Sequence, residues 1–186
     1  MQDFPIDTQI IDWSQPGGTK LHLAGVIRES IVDGPGWRFV VFVQGCPHHC
    51  KNCQNAQTWP FEGGYMTTVE NIVKAVKENK LITGVTLSGG EPFTQAKALT
   101  VLARELKKEG VDVMSFSGWT FEELRDGANE ENCWMDLLKE LSLLVDGKFI
   151  EEQKTLNLRF RGSKNQRIVD VQKSLASNQT ILSELN

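Results

Sequence analysis

Hydrophobic and polar positions along this chain switch repeatedly between the strand period of about 2 and the helix period of about 3.6. Arg38-Phe-Val-Val-Phe-Val43 is nearly continuous in apolar, β-favouring residues, the pattern of a strand buried on both faces of a parallel sheet. Val69, Ile72, Val73 and Val76 then recur at helical spacing behind the capping pair Thr67 and Glu70, which predicts a helix. Gly84 to Ser88 reads as a second strand, ending in Gly89-Gly90. Thr94 can cap a second helix, with Leu99, Leu102, Ala103 and Leu106 on one stripe that stops before Gly110. Val111 to Phe116 reads as a third strand, and Thr120 with Glu123 repeats the capping signature. A helical stretch through Trp134 and Leu141 leads to a fourth strand, Leu143 to Asp146.

The two ends are patterned differently. Residues 1–20, with Pro16-Gly17-Gly18, read as an N-terminal extension before a strand near Leu21 to Ile27. Leu156, Leu158 and Phe160 alternate as in a half-buried strand, followed by Arg161-Gly-Ser-Lys-Asn-Gln-Arg167. Residues 172–186 are polar and weakly patterned, a loose C-terminal tail to a single domain of residues 21–171. Strand and helix alternate several times between these ends, which calls for right-handed βαβ units, an α/β class and a mainly parallel sheet. Ligands in such folds gather at the C-terminal ends of strands. Cys46 to Cys53, Ser88 to Glu91 and Asp146 to Lys148 all fall there.

Composition narrows this picture only modestly. The 186 residues suffice for one substantial core, and 40% apolar with 24% charged residues is ordinary for a globular protein. A formal charge of −4 argues against a nucleic-acid-binding surface. No apolar run approaches the roughly 18 residues that span a bilayer, and the N-terminus lacks a signal-peptide pattern. A cytoplasmic location without membrane attachment is expected. Three of the four cysteines lie in one short loop, unlike a disulfide framework, and the isolated Cys133 reads as a packing residue.

Chemistry concentrates in Gln44-Gly45-Cys46-Pro47-His48-His49-Cys50-Lys51-Asn52-Cys53. Three thiolates can hold three corners of a cubane iron–sulfur cluster, whose full ligation takes four, so one iron stays open to a non-protein ligand. The competing reading is structural zinc, with His48, His49 or Cys133 as fourth ligand; both histidines otherwise read as loop residues. Ser88-Gly89-Gly90-Glu91-Pro92 admits a ligand close to the backbone and offers Glu91 to an ammonium group, or is simply a tight turn. Asp146-Gly147-Lys148 suits a zwitterionic ligand less well than it suits a loop salt bridge. Arg159, Arg161, Lys164 and Arg167 read as a solvated basic face.

Together these residues resemble a known family. Cys46-xxx-Cys50-xx-Cys53 after a parallel strand, with Gly89-Gly90-Glu91 after the next core strand, looks like the radical S-adenosylmethionine superfamily. Asp33-Gly-Pro-Gly-Trp-Arg-Phe39 narrows the resemblance to glycyl-radical-enzyme activases. The short chain and Gly162 to Arg167 are most similar to activators of anaerobic ribonucleoside-triphosphate reductase. The resemblance implies a truncated, open (β/α) barrel with a 4Fe-4S cluster on Cys46, Cys50 and Cys53. It implies S-adenosylmethionine on the open iron, with Gly89, Gly90 and Glu91 at its amine and Asp146 and Lys148 at its carboxylate or ribose. The implied reaction is reductive cleavage to a 5′-deoxyadenosyl radical, which takes hydrogen from a glycine of the partner enzyme. A flavodoxin or ferredoxin would donate the electron, and no general acid or base is required.

Two departures from the family pattern matter. The residue before the third cysteine, commonly aromatic and near adenine, is Asn52, leaving the backbone of Asn52 to Gln54 to bond the base. Pyruvate formate-lyase activases carry an acid after the third core strand, where this chain has Ser115-Phe116-Ser117. The alternatives are an activase of another glycyl-radical enzyme, such as pyruvate formate-lyase, and a zinc-stabilised interaction module.

Overall fold

The computed structural model describes residues 18–186, so the expected N-terminal extension lies, up to residue 17, outside the described residues. One seven-stranded sheet runs in the order β3-β1-β2-β4-β5-β6-β7. Its strands are β1 Lys20–Ser30, β2 Arg38–Val43, β3 Tyr65–Thr68, β4 Gly84–Gly89, β5 Asp112–Phe116, β6 Leu143–Asp146 and β7 Arg167–Asp170. The middle four, β2, β4, β5 and β6, pair in parallel. Antiparallel strands flank them: β1 on β2, β3 on β1, and β7 on β6. The edges β3 and β7 do not pair with each other, so the sheet is an open, truncated barrel.

Helices α1 Val69–Glu78, α2 Ala96–Lys108, α3 Phe121–Asp126, α4 Trp134–Glu140 and α5 Val171–Ser177 complete the fold. Their apolar stripes meet one face of the sheet in a single core, where Ile72, Leu99, Leu102 and Leu106 join Phe39, Val41, Val85 and Leu144. Burial of that stripe follows from the helical spacing, and each fully buried Leu or Ile contributes about 1.5–3 kcal/mol. Across the sheet, Met114, Val145 and Ile168 are covered by Phe160 and Leu185. Arg38 closes the lower part of this inner face. Its guanidinium donates to Thr86 Oγ1 at 3.0 Å, to the Val85 carbonyl at 2.6 Å and to Asp112 at 2.7 Å. None of the helices of the described residues is long and apolar enough to cross a membrane.

Four expectations needed correction. The cap of α1 is Thr68, which accepts from Asn71 N, one residue after the predicted Thr67. Thr94 does not cap α2; a 3-10 turn over Pro92–Gln95 intervenes, capped by the Glu91 side chain. No strand forms at Leu156 to Phe160: Leu156 is 90% exposed, and Phe160 turns left-handed at φ 55° to reach the inner core. The last strand is instead β7. The segment after Gln172 is not loose, because Asp170 N donates to Ile181 O and Ser183 N to Ile168 O, laying the chain end along β7. Thr120 and Glu123 do form a capping box at α3.

Candidate cluster and cofactor site

β2 delivers the cysteine loop to the C-terminal rim of the parallel strands. The loop is shaped by its own backbone: Gly45 N donates to Thr58 O at 2.8 Å, Cys46 N to Trp59 O at 3.0 Å and Cys53 N to Cys50 O at 3.0 Å. Gly45, His49 and Asn52 take positive φ, which bends the chain sharply around the three sulfurs. All three cysteines are free thiols, and all three line one cleft with Gly89, Gly90, Glu91, Ser117 and Gly118 from the ends of β4 and β5. Gly147, Phe149, Gly162 and Gln166 close it from the β6–β7 side.

The donor set fits an iron–sulfur cluster. Burial pushes the Cys46 thiol above its ordinary 9.0, while the His48 and His49 backbone amides pull the other way. Burial also raises the Cys50 thiol, opposed by the Phe149 amide and the charge of Lys148. Asn55 N donates to Cys53 Sγ at 3.4 Å. Amide donors therefore already surround sulfurs that become anionic on binding metal. Among the described residues, no three His, Cys, Asp or Glu side chains gather closely enough for one metal ion. A cubane spreads its thiolates over separate irons, whereas structural zinc needs four ligands around one point.

Glycine backbone makes the rest of the cleft. Gly89 adopts φ 95°, and a Cβ there would press on Phe42 Cα at 2.6 Å. Gly90 abuts Gly45, with a hypothetical Cβ 2.8 Å from the Gly45 carbonyl carbon and nearer still to its oxygen. Glu91 N donates to Gly45 O at 2.8 Å, so the ends of β2 and β4 are zipped together beneath the cysteines. The Gly90 amide is itself spent on Val43 O at 2.8 Å, so backbone without side chains here offers a ligand close approach and carbonyl oxygens.

The sequence-predicted residues divide. Gln54, Gly89, Gly90 and Glu91 line the cleft; Asn52, Asp146 and Lys148 are not among its lining residues. Asn52 donates its amide to Glu151, next to an ion pair of Lys51 with the same Glu151. Asp146 is 1% exposed, and its carboxylate accepts from Phe121 N at 2.7 Å and from Arg167 at 2.5 and 3.0 Å. It braces β6 against α3 and β7, so its expected cofactor contact gives way to a structural ion pair. Lys148 contributes its carbonyl to Asn165 at 2.8 Å. The Glu91 carboxylate, also 1% exposed, is already satisfied by protein donors. Sequence reading missed Trp59, Ser117, Phe149 and Gln166 as cleft residues; the late Gly162 to Arg167 segment was visible, but not that Gln166 Nε2 donates to Gly147 O at 3.0 Å.

Comparison with known proteins agrees with this geometry. A family described as a 4Fe-4S single cluster domain matches residues 32–169. The anaerobic ribonucleoside-triphosphate reductase-activating protein of Vibrio cholerae is 38% identical over 144 residues, covering 73% of this chain and 89% of that protein. Its counterpart in Haemophilus influenzae is 33% identical over 144 residues, again 73% of this chain and 89% of the relative. The pyruvate formate-lyase 1-activating enzyme of Escherichia coli is 45% identical over 85 residues, 43% of this chain and 35% of that enzyme.

Proposed function

Because this chain belongs to the family of anaerobic ribonucleoside-triphosphate reductase-activating proteins, we propose that its cleft performs that family's activation of a reductase. The protein is a radical S-adenosylmethionine oxidoreductase that carries a 4Fe-4S cluster and acts on a glycyl-radical enzyme. When bound, cluster and S-adenosylmethionine supply one-electron reductive chemistry that ends in removal of hydrogen from a glycine of the partner.

The observation that carries this reading is the single cleft in which three free thiols face a glycine-lined strand edge. Cys46, Cys50 and Cys53 hold the cluster. The backbone of Gly89 and Gly90, with Gln54, receives the methionyl and adenosyl parts of the cofactor, and Lys148 contributes positive charge at the rim. Glu91 acts through its main chain and its internal bonds. Pro47 and His49 expose the loop's outer edge, where a flavodoxin or ferredoxin can deliver the electron. The anaerobic ribonucleotide reductase is the partner, supported by relatives that match most of this chain. The pyruvate formate-lyase activase reading rests on a match to less than half of it.

The test is anaerobic reconstitution followed by iron and sulfide analysis, S-adenosylmethionine cleavage, and electron paramagnetic resonance with the reductase added. About four irons per chain, cleavage, and a glycyl radical on the reductase are expected. A colourless protein with stoichiometric zinc, or no radical on any anaerobic reductase, would refute the proposal.

A further inference from the structure

Three residues separate Cys46 from Cys50, and of these only His48 is buried: its side chain is 5% exposed, while Pro47 is exposed and the exposed His49 ring stacks on Trp59 at 5.1 Å. Its Nε2 lies 2.9 Å from Glu91 Oε2. That carboxylate is 1% exposed and accepts from Phe93 N at 3.0 Å, Gly118 N at 2.8 Å and the Ser117 hydroxyl at 3.1 Å. The imidazole is therefore held by its Nε2 to a carboxylate that three other protein donors already fix. A buried carboxylate is costly unless such donors surround it, so each donor is held as firmly as it holds. The imidazole also meets the Trp119 ring edge-on at 4.5 Å. It fits there because Gly118 has no Cβ; one would lie 2.6 Å from Nε2.

The same residue acts on the cluster ligands from its other end. The His48 and His49 backbone amides hold the Cys46 thiol down against the upward push of burial. The imidazole is thus tied to the ends of β4 and β5, while the main-chain amide of the same residue lies beside a ligand sulfur. A displaced ring would rotate the loop and move those amides relative to the Cys46 sulfur.

We propose that His48 is a positioning residue: clamped by Glu91, Ser117 and Gly118, it sets the orientation of the cysteine loop against the strand ends that receive the cofactor. This rests on the cluster and cofactor reading above and deepens it. It also explains why Glu91 is present in the glycine turn, since its carboxylate serves the histidine instead of a ligand ammonium. Loss of the clamp leaves cysteines that still take up iron, in a cluster whose amide donors and open corner are misdirected. Hydrogen bonds to cluster sulfurs raise the reduction potential, so their loss lowers it.

The experiment compares wild type, His48→Ala and His48→Gln after anaerobic reconstitution. Gln places a donor amide nitrogen close to the position of Nε2. Three quantities are read: iron per chain, cluster midpoint potential without cofactor, and the dissociation constant for S-adenosylmethionine. His48→Ala should keep its iron, show a more negative potential, and bind cofactor about 10-fold more weakly, the size of effect that outer-shell partners of metal ligands exert. His48→Gln should recover most of both. An alanine variant with wild-type potential and affinity overturns the proposal, as does a glutamine variant as defective as alanine. If alanine abolishes iron loading, recovery of loading and potential by glutamine supports the clamp and its absence overturns it. Failure of the wild type itself to hold iron or bind cofactor would instead sink the functional reading.

Discussion

Gly90→Ala probes the join between the cysteine loop and the cofactor edge. The backbone at Gly90 is not left-handed, so alanine meets only a steric obstacle: its Cβ would lie 2.8 Å from the Gly45 carbonyl carbon and closer to the oxygen. Gly45 is the residue before Cys46 and is itself pinned by Thr58 O. Relief needs about 1 Å of separation, which takes the 2.8 Å bond from Glu91 N to Gly45 O beyond hydrogen-bond range. Stranding that buried N–H costs about 1–3 kcal/mol, and the forced repacking adds about 1–3 kcal/mol. A loss of about 2–6 kcal/mol lowers the melting temperature of a chain this size by roughly 4–24 °C. Circular dichroism melts of the apo protein measure this, and iron uptake by the same variant should fall. Gly110→Ala is the control. Gly110 has φ 75° with nothing within 4 Å of its Cβ, so it carries only backbone strain of about 1 kcal/mol and should leave iron uptake intact. If Gly90→Ala melts no lower than the control and loads iron normally, the zipped join does not exist as described.

Arg38→Met keeps the apolar stem but leaves Val85 O and Thr86 without their guanidinium donor, while the 40% exposed Asp112 side chain can hydrate. A loss of about 2–4 kcal/mol is expected, read as a lower urea midpoint. Cys50→Ala should abolish cluster binding, whereas Cys133→Ala should keep full iron content. Cys133 is the N-cap residue of α4, outside the cleft. Glu122 is held at about 2, below its ordinary 4.5, first by its bonds to Arg167 and then by Thr180. A depressed folded value adds stability above about pH 4.5 that is lost as pH falls from there towards 2. Acid unfolding should therefore steepen in that window, and Glu122→Gln should flatten it; an unchanged acid limb would refute the pairing.

Local features of the site were legible because neighbouring residues create them. The spacing of Cys46, Cys50 and Cys53, the apolar run of β2, and the Thr120–Glu123 cap depend on a few consecutive positions. So does the parallel core, since each βαβ unit repeats the same local alternation. Periodicity failed at Leu156 to Phe160, where three alternating apolar residues were too few to outweigh a left-handed turn at Phe160 and the pull of Met114 and Ile168. It was silent at the C-terminus, whose order comes from edge pairing with β7 and from Leu185 reaching the inner core.

The chain by itself determined that three thiols would meet a glycine-rich strand end at the rim of a parallel sheet. Only the tertiary structure decided what Glu91 and Asp146 do there. His48 and Glu91 are 43 residues apart in sequence, and Asp146 and Arg167 are 21 apart. A buried carboxylate takes whichever donors the crossovers bring to it. Those donors are set by how β4, β5, β6 and β7 stack side by side, which no local pattern records.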